Sequence, residues 1–316
     1  MVNLSLFRKF LLRKVIISII VTILFYVIFV AFTDFSQFSE RISHFELVLT
    51  PLILLVVICS IFLHALRYHY FLKIVGIKLK FRKSLSVYLA GLSMELTPAK
   101  SGELIRSYIL KENSDAPYIK TVPLVPLERI TNLSGLLIIA IPISIIIAKF
   151  FWPIYLALVV LVSLLIIIQK KQILEFILNK ISYFKKFNKE FDLIESYEFI
   201  KILMKTKNFL AASLMGTAIW LIESIAIFLL LESLGINIGF FDSLLIYTSS
   251  AFLGGISFIP SGIGVMDGSF VAMLSEYGIS FTTAAAFVLL TRLHFTWFKI
   301  GLGFIFLKLN FPNAKI

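Results

Sequence analysis

The chain holds one cysteine, Cys59, and it sits inside an apolar run. An intrachain disulfide and a thiolate metal cluster are therefore excluded. The four histidines, His44, His64, His69 and His294, lack metal-ligand spacings such as HxxxH or HExxH. Charge is also scarce: 15% of the 316 residues are charged, against 59% apolar. A soluble domain of this length exposes far more polar surface, so the composition is that of a membrane protein. The small charge complement is lopsided, with a net charge of +12. In an apolar chain that excess belongs to cytoplasmic loops facing anionic headgroups, and nucleic acid is not an expected partner.

What is abundant is long apolar sequence. A span needs about 20 mainly apolar residues to cross roughly 30 Å of hydrocarbon. Six runs qualify, about 15–32, 47–67, 123–148, 152–168, 208–232 and 281–307. The first follows Arg8, Lys9, Arg13 and Lys14 like a secretory leader, but it is too long and no small-residue cleavage site follows it. It is read as an uncleaved span. Two further apolar pieces, 84–98 and 242–260, lead into Pro/Gly breaks. A helix of the first piece would reach only about 22 Å, and Gly254-Gly255 interrupts the second. Each is expected to form a re-entrant hairpin with the short helix that follows.

The breaks resemble each other. Pro98 is followed by Gly102 and Glu103, and Pro260 by Gly262, Gly264 and Asp267. Arg129 stands 31 residues after Pro98, and Arg292 stands 32 after Pro260. Interrupted segments at corresponding positions of two halves point to a transporter's binding site. Basic residues alternate between loops. They crowd the N-terminus, the segment from Arg67 to Lys83, the nine lysines of 170–207 and the tail, whereas the loops between are poor in them. Both termini are then cytoplasmic, and the units 47–148 and 208–307 have opposite orientation within a single membrane domain. The result is an all-α polytopic protein with an inverted repeat, suited to alternating access. Segment 170–207 mixes lysine pairs with Phe176, Phe184, Phe187 and Phe199. It reads equally as amphipathic helix on the anionic leaflet or as a solvated connector.

Some charges fall inside spans. Arg292 and Glu223 lie near mid-span, where each costs about 2.5–3.5 kcal/mol. Arg292 shares a helical face with Thr296, Lys299 and Gly303. Arg292 and Glu223 are either partners in a buried ion pair, or Arg292 is free to meet phosphate or carboxylate with its forked guanidinium. Arg129 and Glu128 follow Pro123 and Pro126. Glu128 either complements the helix dipole or joins a site, and Arg129 either snorkels to headgroups or matches Arg292, with Asn132 on its face. Glu103 and Asp267 either cap short helices, pair with Arg129 and Arg292, or meet a cationic headgroup. Ser261-Gly262-Ile263-Gly264 is no nucleotide loop, because GxxxxGK[ST] is missing. No cofactor or metal is expected.

At these motifs the chain resembles the lysylphosphatidylglycerol synthase transmembrane-region family, also called flippase-like domain proteins. The resemblance runs through Thr97-Pro98, Gly102-Glu103-Leu104-Ile105-Arg106, Glu128-Arg129, Ile259-Pro260-Ser261-Gly262-Ile263-Gly264-Val265 and Asp267-Gly268, and covers nearly the whole chain. It departs at Met266-Asp267, where the family pattern leads one to expect Arg-Glu. The resemblance implies a module that moves or presents lipids. In multiple peptide resistance factor proteins it flips aminoacylated phosphatidylglycerol beside a soluble aminoacyl-transferase domain, and archaeal relatives are tied to lipid-linked sugars. The present chain has no stretch for that soluble domain, so enzyme activity is not expected. The expected cargo is an anionic membrane lipid, either a phospholipid or a polyprenyl-phosphate carrier. Arg129 and Arg292 would be the headgroup ligands, with Glu103, Glu128 and Glu223 as partners or proton carriers and Asp267 also in the headgroup site. Two rivals remain: an accessory protein that presents lipid to a glycosyltransferase, and a membrane-embedded transferase.

Overall fold

The computed structural model describes residues 20, 22–27, 29, 31–97, 102–149, 151–170 and 193–312. These form helices and connecting turns, with no strand among the described residues. In chain order the main helices are α1 (Phe35–Ser43), α2 (Thr50–Ile74), α3 (Phe81–Leu92), α4 (Ile105–Ser114), α5 (Leu124–Ile147), α6 (Phe151–Gln169), α7 (Leu193–Leu203), α8 (Thr206–Ser233), α9 (Phe240–Ile256), α10 (Val265–Ser275), α11 (Phe281–Thr291) and α12 (Phe298–Asn310). A π-helical turn over Arg292–Trp297 joins α11 to α12.

Five stretches are long and apolar enough to cross a membrane: Leu47–Ile74, Tyr118–Ile147, Trp152–Gln169, Thr206–Ser233 and Phe281–Asn310. They coincide with five of the six spans expected. The sixth, 15–32, is described in part: its residues 20, 22–27, 29 and 31 are helical and 32 is in a turn. The protein is an all-α, polytopic integral membrane protein. Leucine, isoleucine and phenylalanine at Leu52, Leu55, Phe62, Ile145, Ile146 and Leu214 are exposed, as a hydrocarbon solvent requires.

The element order repeats. A long helix, a short helix, a break, a short helix and a long helix run first through α2, α3, α4 and α5, then through α8, α9, α10 and the α11–α12 rod. The helix ends follow local chemistry. The Ser280 side chain accepts the Thr283 N–H at the start of α11, and Asp34 does the same for Ser36 and Gln37 at α1. The expected interruption at Gly254-Gly255 is not a helix end. α9 runs on to Ile256, and Gly254 instead lets the turn beyond it fold back: a Cβ there would lie 2.7 Å from that of Met266.

The two halves interlock. α8 of the second half packs against α2 and α5 of the first, and α12 packs against α3. Small residues make these crossings possible. A Cβ on Gly135 would lie 2.5 Å from the Thr217 nitrogen, and one on Gly303 would lie 2.2 Å from the Ser93 nitrogen. Without a hydrophobic driving force between helices in lipid, such close backbone packing is a main source of cohesion.

Candidate functional site

The first break follows α3. The turn through Ser93–Thr97 is closed by Thr97 Oγ1, which accepts the Gly102 N–H at 2.6 Å. Pro98 lies outside the described residues. The chain then enters α4 with Glu103 and Arg106 facing the start of α5. Arg106 is sealed, at 2% exposure, and donates from Nη1 and Nη2 to the two Glu128 oxygens at 3.1 and 2.7 Å. Nη2 also meets Glu103 Oε2 at 2.9 Å. Its guanidinium carbon lies 4.7 Å from the Tyr68 ring centre and 5.2 Å from that of Tyr88. Such a bidentate, aromatic-stacked seat suits the planar guanidinium and no other cation. Gly91 is what makes room, since a Cβ there would come within 2.6 Å of Arg106 Cγ. Arg129, one residue after Glu128, bonds to Glu103 Oε1 and keeps 39% of its side chain exposed.

The second break is built from the same parts. Gly264 sits at φ +82 before α10, a backbone angle that L side chains rarely adopt. Its N–H donates to Asp267 Oδ2 at 2.8 Å, so Asp267 caps the helix. The other oxygen, Oδ1, accepts from Arg292 Nε at 2.8 Å, and Arg292 Nη1 donates to the Ser261 carbonyl at 2.8 Å. Tyr26 closes the pair by donating to Asp267 Oδ2 at 3.2 Å. Asp267 is fully buried, and Arg292 is 5% exposed. Asp267 therefore both caps and pairs, and the departure from Arg-Glu at Met266-Asp267 leaves a full charge role at that corner.

The acid and arginine are 26 residues apart in the first pair and 25 in the second. Glu103 and Asp267 thus occupy comparable positions relative to Arg129 and Arg292, and each break is tied to the long helix that follows it.

Glu223 behaves differently from one of the alternatives raised above. It does not meet Arg292, which Asp267 already neutralises. Glu223 Oε1 accepts from Lys299 Nζ at 2.9 Å and from the Ser60 hydroxyl at 3.2 Å, and Oε2 accepts from Tyr247 at 2.7 Å. His64 Nε2 lies 3.8 Å from the same carboxylate. α8 is thereby stitched to α2, α9 and α12 by one buried acid. Arg292 and Lys299 share the expected rod but serve different partners, and Arg292 opens the π turn that precedes Lys299. Turns of this kind recur at functional sites.

Arg67 requires a correction. The end of the second apolar run places it among the loop charges, yet α2 continues to Ile74 and Arg67 is 1% exposed. Nη1 donates to Asn132 Oδ1 at 2.6 Å and Nη2 to His64 Nδ1 at 3.3 Å. The expected site leaves out Arg67, His64, Tyr247 and Tyr26. Arg106 entered it only as part of a motif. The signal available was helical register: His64 and Arg67 are three apart on one face. Among the described residues no group of histidine, cysteine and carboxylate side chains could hold a metal ion.

What this geometry offers is buried ion pairs in both halves, Glu103 and Glu128 with Arg106 and Arg129, Asp267 with Arg292, and Glu223 with Lys299, of which Arg129 is the exposed member. Arg129 is the guanidinium among them that an anion could reach. A partial relative is a UPF0104 membrane protein of Methanothermobacter thermautotrophicus, 26% identical over 105 residues. That match spans 33% of this chain and 31% of the relative. The model for the family described as "Lysylphosphatidylglycerol synthase TM region" matches residues 15–303, spanning both breaks and their ion pairs, and the chain belongs to that family.

Proposed function

We propose that the protein moves an anionic lipid, a phospholipid or a polyprenyl phosphate, between leaflets of the cell membrane, with both termini cytoplasmic. One observation carries this reading: the acid–arginine pair recurs at both breaks, but only the first is accessible. The Arg129 side chain is 39% exposed, against 6% for that of Arg292. An inverted repeat caught with one half open and the other shut is what alternating access requires. In the exchanged state Arg292 would open and Arg129 would close, so both arginines serve as headgroup ligands in turn. Glu103 and Asp267 hold each arginine while no lipid is present, and Glu128 keeps Arg106 fixed behind the first.

The test is transfer of labelled lipid across the bilayer of liposomes carrying the purified protein. Phosphatidylglycerol, phosphatidylcholine and a polyprenyl phosphate are compared with protein-free vesicles. Transfer of an anionic lipid well above the protein-free rate is expected, with a steep fall for Arg129→Lys. Binding without transfer would instead indicate an accessory protein that presents lipid to a glycosyltransferase or aminoacyl-transferase.

A further inference from the structure

We propose that His64 is a proton-binding site through which proton movement across the membrane drives the exchange between the two halves. The proposal rests on the lipid-transfer reading above and adds an energy source to it.

His64 stands on α2, inside the span Leu47–Ile74, and keeps 15% of its side chain exposed. Its two ring nitrogens face charged side chains of different halves. Toward the first half, Nδ1 lies 3.3 Å from Arg67 Nη2. A guanidinium only donates, so Nδ1 accepts, the ring is neutral and its one proton sits on Nε2. Toward the second half, Nε2 lies 3.8 Å from Glu223 Oε1. That distance is too long for a hydrogen bond, but it serves an ion pair once the ring is charged. The neutral ring is thus satisfied by Arg67, and the charged ring by Glu223. Each protonation state has its own partner, and the partners belong to opposite halves.

The surroundings are charged but paired. Glu223 of α8, Arg67 of α2 and Lys299 of α12 act on His64 directly, and the Tyr88 ring of α3 stacks on it at 6.1 Å. Arg67 is in turn drawn by Glu128 of α5 and repelled by Arg106 and Arg129. Lys299 feels Glu95 and Glu103 besides Glu223, and Glu223 is also held by Tyr247 of α9. Into this setting a proton from water adds to the Nδ1 lone pair. It removes the acceptor of Arg67 Nη2 and sets two cations side by side. The Nε2 proton, now on a charged ring, competes with Lys299 for Glu223. Arg67 keeps Asn132, three residues beyond Arg129 on α5, and Lys299 stands seven beyond Arg292 on the second rod. One proton therefore alters contacts on the helices that carry both proposed lipid ligands, and its return to water reverses the change. Ionisable groups at membrane depth serve proton pathways in this way.

The test uses liposomes carrying the purified protein and labelled phosphatidylglycerol, with the membrane potential clamped at zero by potassium and valinomycin. A pH difference is imposed in either direction. With one proton moved per lipid, the leaflet ratio of label shifts by up to about tenfold per pH unit, and reversing the gradient reverses the shift. His64→Asn keeps an acceptor toward Arg67 but takes no proton, and His64→Gln is a second neutral replacement; in both, the ratio ignores the gradient while detergent melting stays close to native. Transfer by the native chain with a ratio that ignores the gradient overturns the proposal and leaves the lipid-transfer reading standing. Accumulation by the variants equal to native takes the role from His64. No transfer by the native chain under any gradient brings down both readings. A lipid-free arm reads the proton itself. Trp220 donates to the Asn132 carbonyl and its ring lies 5.4 Å from that of Tyr247, so it touches the partners on both sides. With Trp152→Phe and Trp297→Phe it is the sole tryptophan. Its emission should shift between about pH 5 and pH 8, and the shift should vanish in the His64 variants. An emission that stays constant, or a shift that survives in the variants, overturns the proposal; if neither variant folds, constancy in the native chain does so alone.

Discussion

The two breaks hold the same pair of charges in unlike settings. At the second, Asp267 and Arg292 neutralise each other behind Tyr26, and neither reaches the outside. At the first, Glu103 is shared between Arg106 and Arg129, Arg129 is accessible, and Arg67 lies nearby on Asn132 and His64. A sealed, neutral pair behaves as a clasp. An open cluster leaves Arg129 within reach of an incoming anion. Equal sequence spacing therefore does not make equal chemistry in a given state; burial around each pair decides it.

The comparison breaks most sharply at the acids. Asp267→Asn leaves Arg292 buried without a counter-charge and is expected to destabilise by about 3–5 kcal/mol, read as detergent melting. Glu103→Gln should be milder, because Arg106 keeps Glu128 and Arg129 reaches the outside. Equal losses would mean that the two clusters are equally structural.

The joint between the halves comes next. Gly135→Ala drives a methyl into the backbone of Gly216 and Thr217, within 2.6 and 2.5 Å. Overpacking of about 1–3 kcal/mol should outweigh the better helix propensity of alanine, with melting again the readout. A stabilised variant would show that the α5–α8 crossing yields freely.

Arginine-to-lysine exchanges sharpen the contrast between clasp and open cluster. Arg292→Lys keeps the charge but loses the fork to Asp267 and Ser261, lowering stability by about 1–2 kcal/mol. Arg129→Lys should change stability by no more than about 0.5 kcal/mol, while lipid transfer in liposomes falls steeply. Melting that collapses in Arg129→Lys, with normal transfer by the folded remainder, would make that arginine scaffold. At the small end, Lys111→Ala removes a surface bond to Asp115 and should leave both melting and transfer unchanged.

The sequence carried the spans well because a bilayer leaves few choices: five described spans fall where apolar length puts them. The breaks were legible from Pro260, Gly262, Gly264 and Gly102, whose conformational roles are local. The charge pairs were less so. Glu103 and Asp267 meet arginines some 25 residues away across a helix break, and no periodicity reaches that far. Glu223 had several cations within reach by depth alone, and tertiary packing chose Lys299. Arg67 was misjudged for a simpler reason. A charged residue at the end of an apolar run looks the same whether the helix stops there or continues, and α2 continues.

The central claim is that the two halves are inverted copies around one anion site. Single cysteines at Lys100→Cys and Ile259→Cys, in a Cys59→Ala background, test it most directly. Cys59 is exposed and would otherwise compete for reagent. In sealed, oriented vesicles an impermeant maleimide should label the first from the cytoplasmic side and the second from the opposite side. Labelling of both positions from the same side would contradict the inverted arrangement and, with it, the exchange of open and closed arginines.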